Sequence, residues 1–358
     1  MNETPPITRA SPSLVNALHE CGLRVALSRR GNGIGSGTPW TRLGTICHTV
    51  YEAAARGELG TGDDFRDNFE SVWATAVSVE EAEVLSDPIQ RGWGRAQSWP
   101  GYSLKRARLR RRAFELASEV DAWKDPLLRV EEVLAPEGDL LFGTPDLVIR
   151  RPPPYRIIDY KTGAISDDTG DLKSSYRRQL LLYAHLERSM PDGGEAEIVE
   201  VRPLSGGPVS ITVDWDEVAA VVDEARNLVE AFNEYRLEPE VLANPSMSSC
   251  GHCPFANSCA VMWNDPPEGL DSAQGIVTAV DQNARDTVSF TLEDVHGSTG
   301  VGTLRFLGFS KVQVPVLSNI RLGDEVRIVG FRICEGEVVS ARPRGWVRAA
   351  VGPFESRS

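Results

Sequence analysis

Several things are missing from these 358 residues. No apolar run approaches the roughly 20 residues a bilayer-spanning helix needs. The opening stretch, MNETPPITRASPSLVNALHE, has no basic segment followed by an apolar one, so no secretory leader is expected. No glycine-rich run ends in Gly-Lys-Ser/Thr, which excludes a Walker-type phosphate loop and an ATP-driven motor. The nearest imitation, GNGIGSG at residues 31–37, follows no strand and breaks the dinucleotide spacing at Ser36, so it reads as a flexible loop. Basic charge is also short: 38 Lys and Arg against 51 Asp and Glu give a net charge of −13. That balance argues against a protein that coats nucleic acid non-specifically. Hydrophobic (41%) and charged (25%) shares are ordinary, which excludes a disordered or fibrous chain. A soluble cytoplasmic protein of about two domains, with no membrane partner, is expected.

Apolar residues recur at three- and four-residue spacing from about 10 to 125, predicting a helical N-terminal part. The texture then changes. Strands are predicted over 128–134, 140–150 and 156–161, a helix over 174–188, strands over 197–201 and 209–213, and a helix over 214–237. Strands among helices predict a mixed α/β core. After Asn264-Asp265-Pro266-Pro267-Glu268-Gly269 come five short β-rich runs, 275–280, 287–292, 302–309, 325–331 and 337–341. Their spacing predicts an all-β barrel whose texture resembles the OB-fold. The expected domains are therefore 1–263, a linker at 264–272, the OB-like barrel at 273–350 and a tail at 351–358.

One local exception to the acidic balance is a basic segment in a predicted helix: Lys105, Arg106, Arg108, Arg110, Arg111 and Arg112. It is either a solvated face balancing nearby acids or a nucleic-acid contact.

The chemistry is most legible in Gly143-Thr144-Pro145-Asp146 and Ile157-Ile158-Asp159-Tyr160-Lys161-Thr162-Gly163. If these flank a hairpin, the midpoint of Asp146 and Asp159 falls inside the Arg-Pro-Pro-Pro-Tyr turn. That register sets the two acids opposite one another, with Cβ atoms roughly 5 Å apart. Asp159 and Lys161 share a face of their strand. Two carboxylates so close repel unless a cation lies between them, and hard oxygen donors suit Mg²⁺ or Mn²⁺. Such an ion polarises a phosphoryl oxygen and lowers the pKa of bound water.

CGHCPFANSC, residues 250–259, places three cysteines in ten residues. A reducing compartment favours metal or cluster binding over disulfides, and zinc and an iron–sulfur cluster both stay open. No second cysteine pair is nearby to complete a zinc ribbon. Cys47 sits on an apolar helix and Cys334 in the predicted barrel, which leaves Cys21 as a fourth ligand.

The order Gly-Thr-Pro-Asp146 then Ile-Ile-Asp159-Tyr160-Lys161 resembles the PD-(D/E)xK nuclease signature in its RecB-type form, which includes AddB-type domains and CRISPR adaptation nucleases. The resemblance covers about residues 10–262 and implies a restriction-endonuclease-like α/β core. Gly44-Thr45-Ile46-Cys47-His48 is similar to the family's early helix, which implies His48 as a metal ligand beside Asp146 and Asp159. Gln179 and Tyr183 match its Gln-x-x-x-Tyr helix, which implies contact with Lys161 or the DNA. An acid in the preceding strand is implied too, and either Glu131 or Glu132 fills that place. Iron–sulfur members carry one N-terminal cysteine and three later ones, which implies a 4Fe–4S cluster on Cys21, Cys250, Cys253 and Cys259. The implied activity is Mg²⁺- or Mn²⁺-dependent hydrolysis of DNA, as a single-strand exonuclease or end-processing nuclease in repair, recombination or defence. A catalytically inactive DNA-binding or assembly subunit is the competing expectation. Single-stranded DNA and a helicase or other protein are the expected partners, with the barrel tracking the strand. Phe290, Phe306 or Phe309 would stack on bases or, equally, serve as barrel core, which assigns no binding residue there.

Overall fold

Helix α2 (Pro39–Ala55) shows how the local sequence builds the frame. Thr38 and Thr41 form a reciprocal capping box and Pro39 occupies the first turn, so two orphan N–H groups are satisfied before the helix begins. Leu43, Ile46, Cys47, Val50 and Ala54 then form its buried stripe. The structure is a computed structural model. It describes residues 3–31, 38–87, 90, 93–123, 127–282, 286–298, 302–311, 314–334 and 339–354, without the side chains of 345 and 346. Most of the glycine-rich run (32–37), the start of the last predicted β run (337–338) and the end of the tail (355–358) lie outside the described residues.

The chain divides into two compact units. Helix α1 (Pro12–Arg29) contributes to both and is interrupted at Cys21, whose φ of −170° and ψ of 106° are extended. The first unit comprises Pro6–His19 and Gly37–Glu234. It contains α2, α3 (Phe65–Ser86), α4 (Tyr102–Ala122), α5 (Ser174–Ser189) and nearly all of α6 (Trp215–Tyr235). Its sheet runs β1 (Leu127–Val130), β2 (Leu147–Arg151), β3 (Arg156–Lys161), β4 (Ile198–Pro203), β5 (Val209–Thr212) in that order. Only the β3–β4 pair is parallel. The β2–β3 register pairs Leu147 with Ile158 and Val148 with Ile157, which is the register expected from the position of the turn.

Two strands are shorter than expected. β1 stops at Val130 because Glu131 takes a left-handed conformation, φ 50°. Residues 140–146 are irregular, held by isolated bridges from Leu141 to Ala10 and from Gly143 to Leu134. Helix α5 is fixed across β1 and β2 by Glu187, fully buried, which accepts from Arg150 at 2.5 Å and from the Tyr155 hydroxyl, with Arg129 at 3.6 Å. A buried carboxylate without such cations would be strongly destabilising.

The second unit comprises Met1–Pro5, Glu20–Ser36 and Tyr235–Ser358. Short helices α7 (Met247–Gly251) and α8 (Ala260–Asn264) precede five strands: β6 (Ser272–Gln282), β7 (Thr287–Gly297), β8 (Thr303–Ser310), β9 (Glu325–Cys334) and β10 (Ser340–Val351). They close into a barrel in the order β10-β8-β7-β6-β9. Phe290, Phe306, Phe309 and Phe331 fill its interior, with Phe290 and Phe306 stacked at 4.8 Å between centroids.

The expected fold class is corrected here. The sheet that carries the acids is open and mixed, and barrel closure is confined to β6–β10. The OB-like label is not retained, because it rested on a texture of short runs that the strands do not have. They are 8 to 12 residues long. Register shifts between Gln274 and Ile276, Val277 and Ala279, and Val288 and Phe290 interrupt their pairing. The three phenylalanines considered for base stacking are at most 2% exposed and serve as core.

Candidate metal and active site

Three elements bring one ligand atom each to a common point. α2 supplies His48, the turn after β1 supplies Glu131, and the residue before β2 supplies Asp146. Their nearest ligand atoms all lie within 4.8 Å of one another. His48 Nδ1 is 3.1 Å from Asp146 Oδ1 and 3.9 Å from Glu131 Oε1. The other Asp146 oxygen, Oδ2, accepts the Tyr160 backbone N–H at 2.5 Å, which ties the acid across the hairpin. The structure thereby separates the two glutamates left open by the sequence. Glu131 faces the histidine, whereas Glu132 is half-exposed and pairs with Arg129. The left-handed backbone at Glu131 is costly for a residue with a Cβ and turns this side chain toward Asp146, whose carbonyl oxygen accepts the Glu131 N–H at 3.1 Å.

The donor set fits a hard divalent ion: two carboxylates and an imidazole, with the carboxylates in mutual repulsion. Burial first, and then the charge of Asp146, push Glu131 up to about 8. Burial acts on His48 in the opposite sense, lowering it, but its hydrogen bond to Asp146 and the surrounding carboxylates raise it overall. A cation among these groups would neutralise the same carboxylates.

Asp159 lies outside that three-residue group. Its Oδ2 is 2.7 Å from Lys161 Nζ, and its Oδ1 accepts from Gln179 Nε2 at 3.1 Å. Only 3% exposed, it is raised by burial first and by Asp146 second, to about 6. Gln179 is the hub: its Oε1 accepts from Lys161 at 3.2 Å and its Nε2 also reaches the Tyr183 hydroxyl at 3.0 Å. The i, i+4 spacing on α5 places Gln179 and Tyr183 one above the other. Gly143 is required for this packing, since a Cβ there would stand 2.8 Å from Tyr183 Cε1 and 3.1 Å from Leu186 Cδ1.

The basic segment lies on α4, and its members differ. Arg106 pairs with Glu70, while Arg111 and Arg112 pair with Glu115. Arg108 and Arg110 are exposed and have no partner among the described residues. Lys105 alone turns toward the acidic motif, donating to Thr162 Oγ1 at 3.3 Å.

The cofactor expectation is corrected on the cysteines. Cys21, Cys250, Cys253 and Cys259 do line one cavity, of about 20 Å³, among Leu23, Leu27, Phe255 and Met262. That is close to the space one water requires. They do not form a metal-ligand group: among the described residues, the group at 4.8 Å spacing is His48, Glu131 and Asp146. All are free of disulfides. Burial is the first cause that raises Cys250, Cys259 and Cys253, the last to about 11, so the pocket favours neutral thiols over the thiolates a cluster requires. The expected 4Fe–4S cluster is withdrawn.

Acids, an imidazole and an amine converge at the end of a hairpin on a mixed α/β sheet, forming a candidate metal site. A family model of the PD-(D/E)XK nuclease superfamily matches residues 9–260, and the chain belongs to that superfamily. No curated protein matches. Among solved structures, an alkaline exonuclease from Laribacter hongkongensis aligns at 14% identity over 55% of this chain and 92% of its own, with a TM-score of 0.25. The protein SSO0001 aligns at 15% identity over 67% of this chain and 95% of its own, with a TM-score of 0.26. At those scores neither likeness carries weight. No described helix is long and apolar enough to cross a membrane.

Proposed function

We propose that this chain is a divalent-metal-dependent deoxyribonuclease that hydrolyses phosphodiester bonds at the Asp146–Asp159–Lys161 site. The observation that carries the reading is the convergence of His48, Glu131 and Asp146 within 4.8 Å, beside the Asp159–Lys161–Gln179 network. His48, Glu131 and Asp146 would hold the cation, together with Asp159, whose carboxyl is raised by burial and then by the charge of Asp146. When bound, the cation supplies a polarised phosphoryl oxygen and a more acidic water. Lys161 orients the attacking water and neutralises charge that builds on the phosphate. Gln179 and Tyr183 keep Lys161 and Asp159 in register.

The Gln-x-x-x-Tyr helix supports the RecB-type form of the superfamily. With it go the finer readings: single-stranded DNA as substrate, exonucleolytic or end-processing action in repair, recombination or defence, a helicase or other protein partner, and a cytoplasmic setting. The domain division at 1–263, 264–272 and 273–350 belongs to the same reading. Arg108 and Arg110, exposed and without a partner among the described residues, are basic-segment residues that a DNA backbone could use.

The test is cleavage of end-labelled single-stranded DNA with Mg²⁺ or Mn²⁺, comparing the wild-type chain with Asp159→Ala and Lys161→Ala. Cation-dependent cleavage lost in both variants supports the assignment. Absence of cleavage by the wild-type chain, or undiminished cleavage by the variants, overturns it.

A further inference from the structure

The aromatic side chains of the first unit are mostly buried, but Trp40 is 51% exposed. It lies in the first turn of α2, the helix that carries His48. Trp40, Gly44 and His48 are spaced i, i+4, i+8, so they line one face of that helix. Eight residues at about 1.5 Å each put Trp40 about 12 Å along the axis from the metal-site histidine. That is no more than about four stacked nucleotides at ~3.4 Å each.

The ring is backed rather than loose. Gly101, at φ 83°, packs so closely that a Cβ there would stand 3.1 Å from Trp40 Cζ3. Lys105 Nζ sits 5.6 Å from the ring centroid. The same ammonium donates to Thr162, which follows Lys161 in the acidic motif, and a Cβ at Gly44 of α2 would stand 3.5 Å from that threonine's Oγ1. Lys105 is partly buried, and burial lowers its pKa. No carboxylate partners it among the described residues, unlike Arg106, Arg111 and Arg112 on its own helix. A half-buried cation without a counter-charge is stabilised by an incoming anion. An indole that is 51% exposed offers flat aromatic surface to a base.

We infer that Trp40 and Lys105 form a subsite for an unpaired nucleotide, with the base stacked on the Trp40 ring and a backbone phosphate on Lys105 and Thr162. The inference rests on the nuclease reading of the neighbouring site and adds the residues that would select its substrate, a strand whose bases are unpaired close to the scissile bond. A base pair in duplex already has both faces stacked and cannot use the ring in this way.

The experiment is fluorescence anisotropy with a labelled oligothymidylate and a labelled blunt hairpin duplex, in EDTA so that cleavage does not enter. Trp40→Ala is expected to weaken single-strand binding by about 5- to 150-fold, the range for losing one base–aromatic stack. Trp40→Phe should recover most of that loss, and duplex binding should not change. Lys105→Ala should weaken single-strand binding and reduce its salt slope by about 0.7, as for one lost phosphate contact. Equal single-strand affinity for wild-type and Trp40→Ala chains overturns the subsite. So does an equal loss on duplex. Hydrolysis of bis(p-nitrophenyl) phosphate with Mn²⁺ separates the two readings. The Trp40 variants should retain it and Asp159→Ala should not. If the wild-type chain fails to hydrolyse it, the nuclease reading falls, while the binding data still decide the subsite.

Discussion

The sheet β1–β5 is open, and at its strand ends it buries Asp146 and Asp159 at 9% and 3% exposure. Each acid is held by named partners: a backbone N–H, an imidazole, an amide and an ammonium. The barrel β6–β10 closes on itself and fills with phenylalanine, valine and leucine. An open sheet has strand ends where polar groups from helix and loop can meet; a small closed barrel spends its interior on packing. Chemistry and aromatic availability therefore fall to the first unit, and rigidity to the second.

The largest expected effect that would sharpen this contrast is on catalysis. Lys161→Ala should lower the cleavage rate about 10²- to 10⁴-fold, read from initial rates at saturating cation. A loss under tenfold would mean the open sheet end is not where bonds break. Next comes packing. Phe306→Ala should destabilise the barrel by about 3–5 kcal/mol in urea denaturation, whereas exposed Trp40→Ala should stay within about 0.5 kcal/mol. Comparable costs would erase the distinction between a packed and an available aromatic.

A pH effect of intermediate size follows from Glu131. Its folded pKa, about 8, lies above its ordinary 4.5. The folded chain therefore binds that proton more tightly than the unfolded chain. This contribution to stability is present below about 4.5 and lost as the pH rises through about 8. Without divalent ions, thermal stability should fall across that window, and less steeply in Glu131→Gln. Added Mn²⁺ should stabilise the wild-type chain increasingly with pH, because the ligands must shed their protons. Smallest of all, Arg108→Ala and Arg110→Ala should each reduce the salt slope of single-strand binding by about 0.7, with little change in folding stability.

Much of the first unit was legible because its signals are local. The turn fixed the hairpin register, and i, i+4 spacing brought Gln179 to Tyr183. Asp159 meets Lys161 and Gln179, contacts that strand alternation alone does not specify, since it says which face a residue shares but not which neighbour it meets. Choosing Glu131 over Glu132 required a left-handed backbone that no residue type announces. The cysteines misled for a different reason. Their spacing resembles a ligand pattern, and Cys21 does join the others at one cavity, but they do not converge as a ligand group, and burial raises Cys250, Cys253 and Cys259. In the barrel, closure was legible from texture, whereas the strand lengths and register shifts were not.

The most direct test of the central claim is a Mn²⁺ titration at pH 8, followed by calorimetry or by the loss of the free-ion resonance. If His48, Glu131 and Asp146 hold the cation, the wild-type chain binds Mn²⁺ at this site, and Glu131→Gln and Asp146→Asn lose that binding together with cleavage. Undiminished Mn²⁺ binding in both variants would contradict the assignment.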